Sequence, residues 1–211
     1  MRKIILDLCG GTGSWSKPYK EAGYDVRLIT LPDNDVRTYK PPKNVYGILA
    51  APPCTMFSFC RTRAKTLRDL KKGMECVRAC LNIIWSYIEI KQDTAKKTLP
   101  LKFWALENPN YGFLKNFLGK PAFIFDPWEF GDGYQKRTAL WGYFNEPNKN
   151  PIPMTKEVKK SLKGNKVMNT TKFDYLKSKE IHPEAFGKLT RQERRSITPA
   201  GFAMAFFQAN Q

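Results

Sequence analysis

The sequence predicts an α/β fold: a mostly parallel, Rossmann-like sheet flanked by helices, with a small basic lid. Three observations predict it. Short apolar runs alternate with helical patterns through the first half of the chain, the order expected when parallel strands are buried on both faces. A glycine-rich turn, Cys9-Gly10-Gly11-Thr12-Gly13, follows the first apolar run directly. The chain has 211 residues, 42% hydrophobic and 13% aromatic, enough for one sizeable core and too apolar for wholesale disorder.

Taken in order, residues 3–8 read as a buried strand closed by the glycine turn. A short helix follows over 16–22, with Gly23 at its C-terminal stop. Residues 24–30 and 45–50 read as two further strands, the second cut off by Pro52-Pro53. Over 68–90 the residues Leu70, Met74, Val77, Leu81, Ile84 and Ile88 recur at three- and four-residue steps, which predicts one apolar helix face. Cys76 and Cys80 lie on that helix and are assigned to the core. Residues 103–106 form a strand ending at Glu107-Asn108-Pro109, and 123–130 and 139–144 two more, joined by a hairpin-like Gly131-Asp132-Gly133. Thr198 is expected to cap a final apolar helix with Pro199 at its first position. The domain reading is a catalytic core over 1–144, a basic lid over 145–188 and a closing segment over 189–211.

Lys and Arg number 36 against 19 Asp and Glu, a net charge of +17. Such an excess repels itself in a folded chain and points to a polyanionic partner. No run approaches the ~20 apolar residues of a membrane span, and the N-terminal run meets Asp7 too early for a secretory signal. The cysteines number five, with no C-x-x-C, and His182 is the one histidine. These counts argue against a disulfide framework or a structural zinc and for a reducing compartment.

Three segments carry chemistry. The glycine turn is neither G-x-x-x-x-G-K-[ST] nor G-x-G-x-x-G, so it reads as the loop of a nucleoside cofactor without a pyrophosphate, S-adenosylmethionine. Ala51-Pro52-Pro53-Cys54-Thr55-Met56-Phe57-Ser58 puts a thiol on a stiffened backbone at the end of a strand, where open α/β sheets bind ligands. Arg61, Arg63 and Lys65 downstream are expected to lower the pKa of Cys54. Glu107-Asn108-Pro109 brings a carboxylate out of a buried strand, where desolvation raises its pKa toward neutrality.

The order glycine loop, P-P-C-x-x-F-S, E-N-P and Gln135-Lys136-Arg137 resembles that of the DNA cytosine-C5 methyltransferases, above all the small stand-alone members of phages and bacteria. The resemblance covers residues 4–144 and returns near 191–210. It implies an S-adenosylmethionine-dependent enzyme of the cytoplasm that adds Cys54 to carbon 6 of a flipped-out cytosine in duplex DNA. It implies catalytic roles for Cys54, Glu107 and Arg137. Asp7, Cys9, Gly10, Gly11, Gly13, Trp15, Asp35 and Pro52 would hold the cofactor, and Pro53, Ser58, Asn108 and Gln135 the substrate. The expected protein is a monomer that needs no metal and no membrane.

The chain departs from the family pattern in three places. The second arginine of the Q-x-R-x-R element falls on Ala139. The strand over 24–30 ends without the usual ribose-binding acid, which leaves Asp33 as the substitute. The long target-recognition region is reduced to about 145–188, where Lys149, Lys156, Lys159, Lys160, Lys163 and Lys166 can neutralise phosphates with little base readout. Arg191, Arg194 and Arg195 are expected on a surface. Other readings stay open: C5 transfer to RNA or a cytosine nucleotide, transfer of a group other than methyl, and a catalytically silent DNA-binding homologue.

Overall fold

Runs such as Ile4-Ile5-Leu6 bury side chains alternately on the two faces of a strand, so a sheet built from them needs cover on both sides. The computed structural model, which describes residues 2–59, 61, 64–89, 101–132, 134–153 and 187–211, has that arrangement. Strand β1 (Ile4–Leu8) leads through the glycine turn to helix α1 (Lys17–Glu21) and strand β2 (Asp25–Ile29). Strand β3 (Gly47–Ala50), helix α2 (Leu70–Glu89) and strand β4 (Phe103–Pro109) follow. Helix α3 (Lys115–Leu118), strand β5 (Phe123–Phe125), a 3-10 turn (Pro127–Phe130) and strand β6 (Thr138–Tyr143) come next. Helices α4 (Arg191–Ser196) and α5 (Ala200–Ala209) close the chain.

The six strands form one mixed sheet in the order β2-β1-β3-β4-β6-β5. The pairs among β2, β1, β3 and β4 are parallel, and β6 runs antiparallel to both β4 and β5. Period-two alternation sends Leu6, Leu8, Ile48, Ala50 and Leu106 to one face, against Val77, Cys80, Ile84 and Tyr87 of α2. It sends Ile5, Leu49, Phe103 and Ala105 to the other, against Trp15, Tyr19, Phe202 and Phe206. On that second face Phe125 stacks on Phe202 with ring centroids 3.8 Å apart.

Several local expectations change. The buried stripe of α2 runs through Val77, Cys80, Ile83, Ile84 and Tyr87, while Ile88 is 38% exposed, because the face that meets the sheet is rotated from the predicted one. Strand β4 does not stop at Leu106. Pairing of Glu107, Asn108 and Pro109 with Leu140, Ala139 and Thr138 of β6 carries it three residues further. The strand expected over 123–130 ends at Phe125, where Asp126 donates its amide to Glu129 Oε2 at 2.7 Å and the chain enters the 3-10 turn. The hairpin link is therefore a longer connection, and Gly133 within it lies outside the described residues. Pro199, not Thr198, is the N-cap residue of α5, and the Thr198 amide donates to Ser14 Oγ at 2.8 Å. Helices α3 and α4 are additions to the expected elements.

The first residues of the expected lid lie on the core. The Asn145 amide donates to Asn210 Oδ1, and the Asn150 and Ile152 amides bond carbonyls of the 3-10 turn. Lys149 is paired with Glu129 at 2.7 Å. Residues 154–186 of the lid, with Lys156, Lys159, Lys160, Lys163, Lys166 and His182, lie outside the described residues, as do Cys60 and Arg63.

Candidate functional site

Register brings the three chemical segments together. Leu8 of β1 is level with Ala50 of β3, and Ala50 with Leu106 of β4. Cys9, Ala51 and Glu107 therefore leave that level side by side across three adjacent parallel strands, which span about 10 Å at the usual strand spacing. The chain goes from β1 to β2 on one side and then crosses to β3 on the other. Such a reversal of strand order opens a crevice at the carboxyl ends of the strands.

The glycine turn is built around Asp7. This carboxylate is fully buried and accepts from Ser16 Oγ at 2.5 Å, while its Oδ1 has no hydrogen-bond partner among the described residues. Burial outweighs the Ser16 bond and pushes the Asp7 pKa up to about 6. A Cβ on Gly10 would collide with that carboxyl group, so only glycine fits there. Cys9, Gly11 and Gly13 all adopt positive φ, 57°, 57° and 70°, which is easy for glycine and strained for cysteine. The Cys9 thiol meets Cys76 and Cys80 of α2; the Cys76 contact lowers its pKa, but the Cys80 contact and burial outweigh it and the net shift is upward. Trp15, two residues past Gly13, is 2% exposed and packs on Phe206 at 5.4 Å between centroids.

Asp35, expected to meet an adenine amino group, has both oxygens engaged by Arg37, the shortest contact at 2.6 Å. That bidentate pairing holds its pKa down at about 2. Arg37 also reaches Glu75 on α2 at 3.6 Å. The buried orphan oxygen of Asp7, set beneath a loop that tolerates no side chain at Gly10, fits a polar cofactor held close to the backbone. Asp35 fits that cofactor only by sharing its oxygens with Arg37.

The thiol loop is held at several points. Asn108 donates its Nδ2 to the buried Pro52 carbonyl at 3.0 Å, tying the end of β4 to the end of β3. The Cys54 carbonyl accepts from the Phe57 and Ser58 amides at 2.9 and 2.8 Å, which makes a tight turn. Ser58 forms a bridge with Gly112, and Arg68 donates to the carbonyls of Met56 and Ser58. Pro53 is exposed at the tip, and Cys54 is half-buried.

The Cys54 pKa is raised, first by burial and then by the Glu107 carboxylate, with Lys136 and Arg195 opposing. Burial also raises Glu107, again opposed by Lys136. The direction for Glu107 is the expected one, but Cys54 rests as a thiol. The cations that act on it are not those beside it in sequence. Arg61 is turned to Thr66, donating to its carbonyl and its Oγ1.

Arg137 stands apart from these groups, half-exposed and 3.6 Å from Asp126. Its neighbour Lys136 faces the pair instead, and Gln135 is half-buried beside it. Lys136 and Arg195 are the groups that sequence reasoning missed. Lys136 is the middle residue of Gln135-Lys136-Arg137, to which the resemblance gives no role, and Arg195 is expected on a surface. Among the described residues no group of three or more His, Cys, Asp or Glu side chains is placed to hold a metal ion. Among the same residues no helix is long and apolar enough to cross a membrane.

No protein-family model matches the chain, and no curated protein sequence matches it significantly. The reading of the site therefore rests on its residues.

Proposed function

We propose that the chain is an S-adenosylmethionine-dependent methyltransferase acting on carbon 5 of cytosine in DNA. The observation that carries this reading is the register that sets the ends of β1, β3 and β4 level, so that the glycine turn, the loop carrying Cys54 and Glu107 leave the sheet side by side, with Cys54 and Glu107 electrostatically linked.

Carbon 5 of cytosine is too electron-poor to take a methyl cation equivalent directly. The Cys54 sulfur adds to carbon 6, forming a C–S bond and pushing an electron pair into the ring. Glu107, kept protonatable by its burial, holds or protonates ring nitrogen 3 and so draws that electron density into the adduct. The cofactor supplies the methyl group that carbon 5 then takes. A water molecule or another base takes the carbon 5 proton, the freed electron pair re-forms the carbon 5–carbon 6 double bond, and the C–S bond breaks to release the Cys54 thiolate. Asp7 and the side-chain-free Gly10 would hold the cofactor, and Asn108 keeps the Cys54 loop in register with Glu107. In duplex DNA the cytosine must first leave the stack, at a cost of a few kcal/mol. The net charge of +17 favours a polynucleotide over a free nucleotide.

The test is covalent trapping on duplex DNA containing 5-fluorocytosine, with S-adenosylmethionine present. Fluorine cannot leave carbon 5 as a proton does, so the expected result is a stalled adduct through Cys54. Cys54→Ser should abolish both the adduct and methyl transfer. An adduct on RNA or a nucleotide analogue alone would change the substrate. DNA binding with no adduct on any substrate would replace the enzyme with a silent binding protein.

A further inference from the structure

Lys136 and Arg195 come to the Cys54–Glu107 centre from elements far apart in sequence. Lys136 lies two residues before β6, which begins with Thr138 opposite Pro109 at the end of β4. It therefore stands just beyond the strand that carries Glu107. Its ammonium donates to the Ile197 carbonyl at 3.4 Å, two residues past Arg195 on α4. The same stretch is tied to the glycine turn, since the Thr198 amide donates to Ser14 Oγ. A Cβ on Gly11 would stand 3.6 Å from Ser196 Oγ. The end of α4 thus spans from the glycine turn to Lys136, across the carboxyl ends of the strands.

The free state of these two cations sets them apart. Arg37, Arg137 and Lys149 each pair with a carboxylate. Among the described residues, neither Lys136 nor Arg195 lies within ion-pair distance of one. The charged groups acting on Cys54 are Glu107 from β4, Lys136 ahead of β6 and Arg195 from α4. With Glu107 ionised, a carboxylate opposes a negative sulfur. With Glu107 protonated, that opposition is gone and the two cations act against burial alone.

We propose that Lys136 and Arg195 are the charge-setting residues of this centre, favouring the Cys54 thiolate against its burial, most strongly when Glu107 carries a proton. One proton leaves the sulfur and one is held by Glu107, so the net charge of the pair is unchanged while the negative charge moves to the nucleophile. The cations act through Cys54 and are positioning residues. The proposal builds on the reading of Cys54 as the nucleophile, but its test needs no turnover.

The experiment follows carbamidomethylation of Cys54 by iodoacetamide in the full chain, read by peptide mass spectrometry between about pH 6 and 10. Lys136→Met and Arg195→Met should each move the midpoint upward and slow the reaction at pH 8 by roughly three- to tenfold, since one pKa unit is tenfold in thiolate fraction. Glu107→Gln should speed it. Lys136→Arg and Arg195→Lys, which keep the charge, should restore the wild-type profile and control for misfolding. Unchanged midpoints in both Met variants would overturn the proposal. So would equal displacement in the charge-conserving variants, which would make the effect steric. Failure of the fluorocytosine trap with these shifts intact would remove the proposed reaction and leave the charge-setting roles standing.

Discussion

Asp7 is a buried acid whose surroundings do not fully compensate it. Ser16 serves one oxygen and nothing described serves the other. Its folded-state pKa of about 6 stands above the ordinary 3.8, so the folded protein binds this proton more tightly than the unfolded chain does. The group therefore contributes most below about pH 4, and its contribution is lost as pH rises through 6. Asp7→Asn should stabilise the protein at pH 7.5, by about 3 kcal/mol at most for a shift of this size, and much less at pH 4.5. Thermal melts of the two proteins at both values check it, and equal differences at both would refute the sign. If Asp7 serves a cofactor, the stabilised variant should also bind S-adenosylmethionine more weakly, the usual exchange between stability and function at a working site.

At the scale of elements, the Cys54 loop depends on its neighbours more than on itself. Asn108→Ala deletes the hydrogen bond that joins the end of β4 to Pro52 and leaves a buried carbonyl unpaired. The expected loss is about 1–3 kcal/mol, with a slower Cys54 alkylation rate; chemical denaturation and the iodoacetamide assay read the two effects. Phe202→Ala should cost about 3–5 kcal/mol, because the ring is fully buried and stacked on Phe125. A loss under 1 kcal/mol would mean that α5 does not seal this face of the sheet.

These elements also show what the sequence could tell. The strands β1 to β4 were legible because parallel strands covered on both faces must be apolar runs, and each ends in turn residues. The extension of β4 through Glu107 was not, since it depends on pairing with β6, some thirty residues later. Helix α4 did have a local signal: Thr190 and Glu193 form a capping box, with Thr190 Oγ1 accepting from the Glu193 amide. The arginines around it read as a solvated cluster and hid that signal. Nor could proximity in sequence identify the cations at Cys54. Arg61 is the nearer in the chain, yet its two terminal nitrogens are turned to Thr66, while Arg195 arrives through the fold.

For the whole molecule, the dominant property is the charge of +17, and the question is where it meets a polyanion. A lysine already paired inside the protein gains little from a phosphate, because it must give up its carboxylate first. Lys149, 2.7 Å from Glu129, is of that kind. Lys159, Lys160 and Lys163 belong to the basic stretch expected to face the nucleic acid. Each phosphate neutralised releases counterions and adds about 0.9 to the slope of log K against log salt. Replacing Lys159, Lys160 and Lys163 together by Ala should therefore flatten the slope for duplex DNA by roughly 2–3 units. Lys149→Ala should leave it within about half a unit of wild type on the same counterion arithmetic. Fluorescence anisotropy at four salt concentrations separates the cases. A large effect of Lys149→Ala would mean that DNA opens the Lys149–Glu129 pair, so that the segment after β6 leaves the core on binding. An unchanged slope in the triple variant would move the electrostatic footprint to the core, where, among the described residues, Lys136 and Arg195 act on the proposed nucleophile without an ion-pair partner.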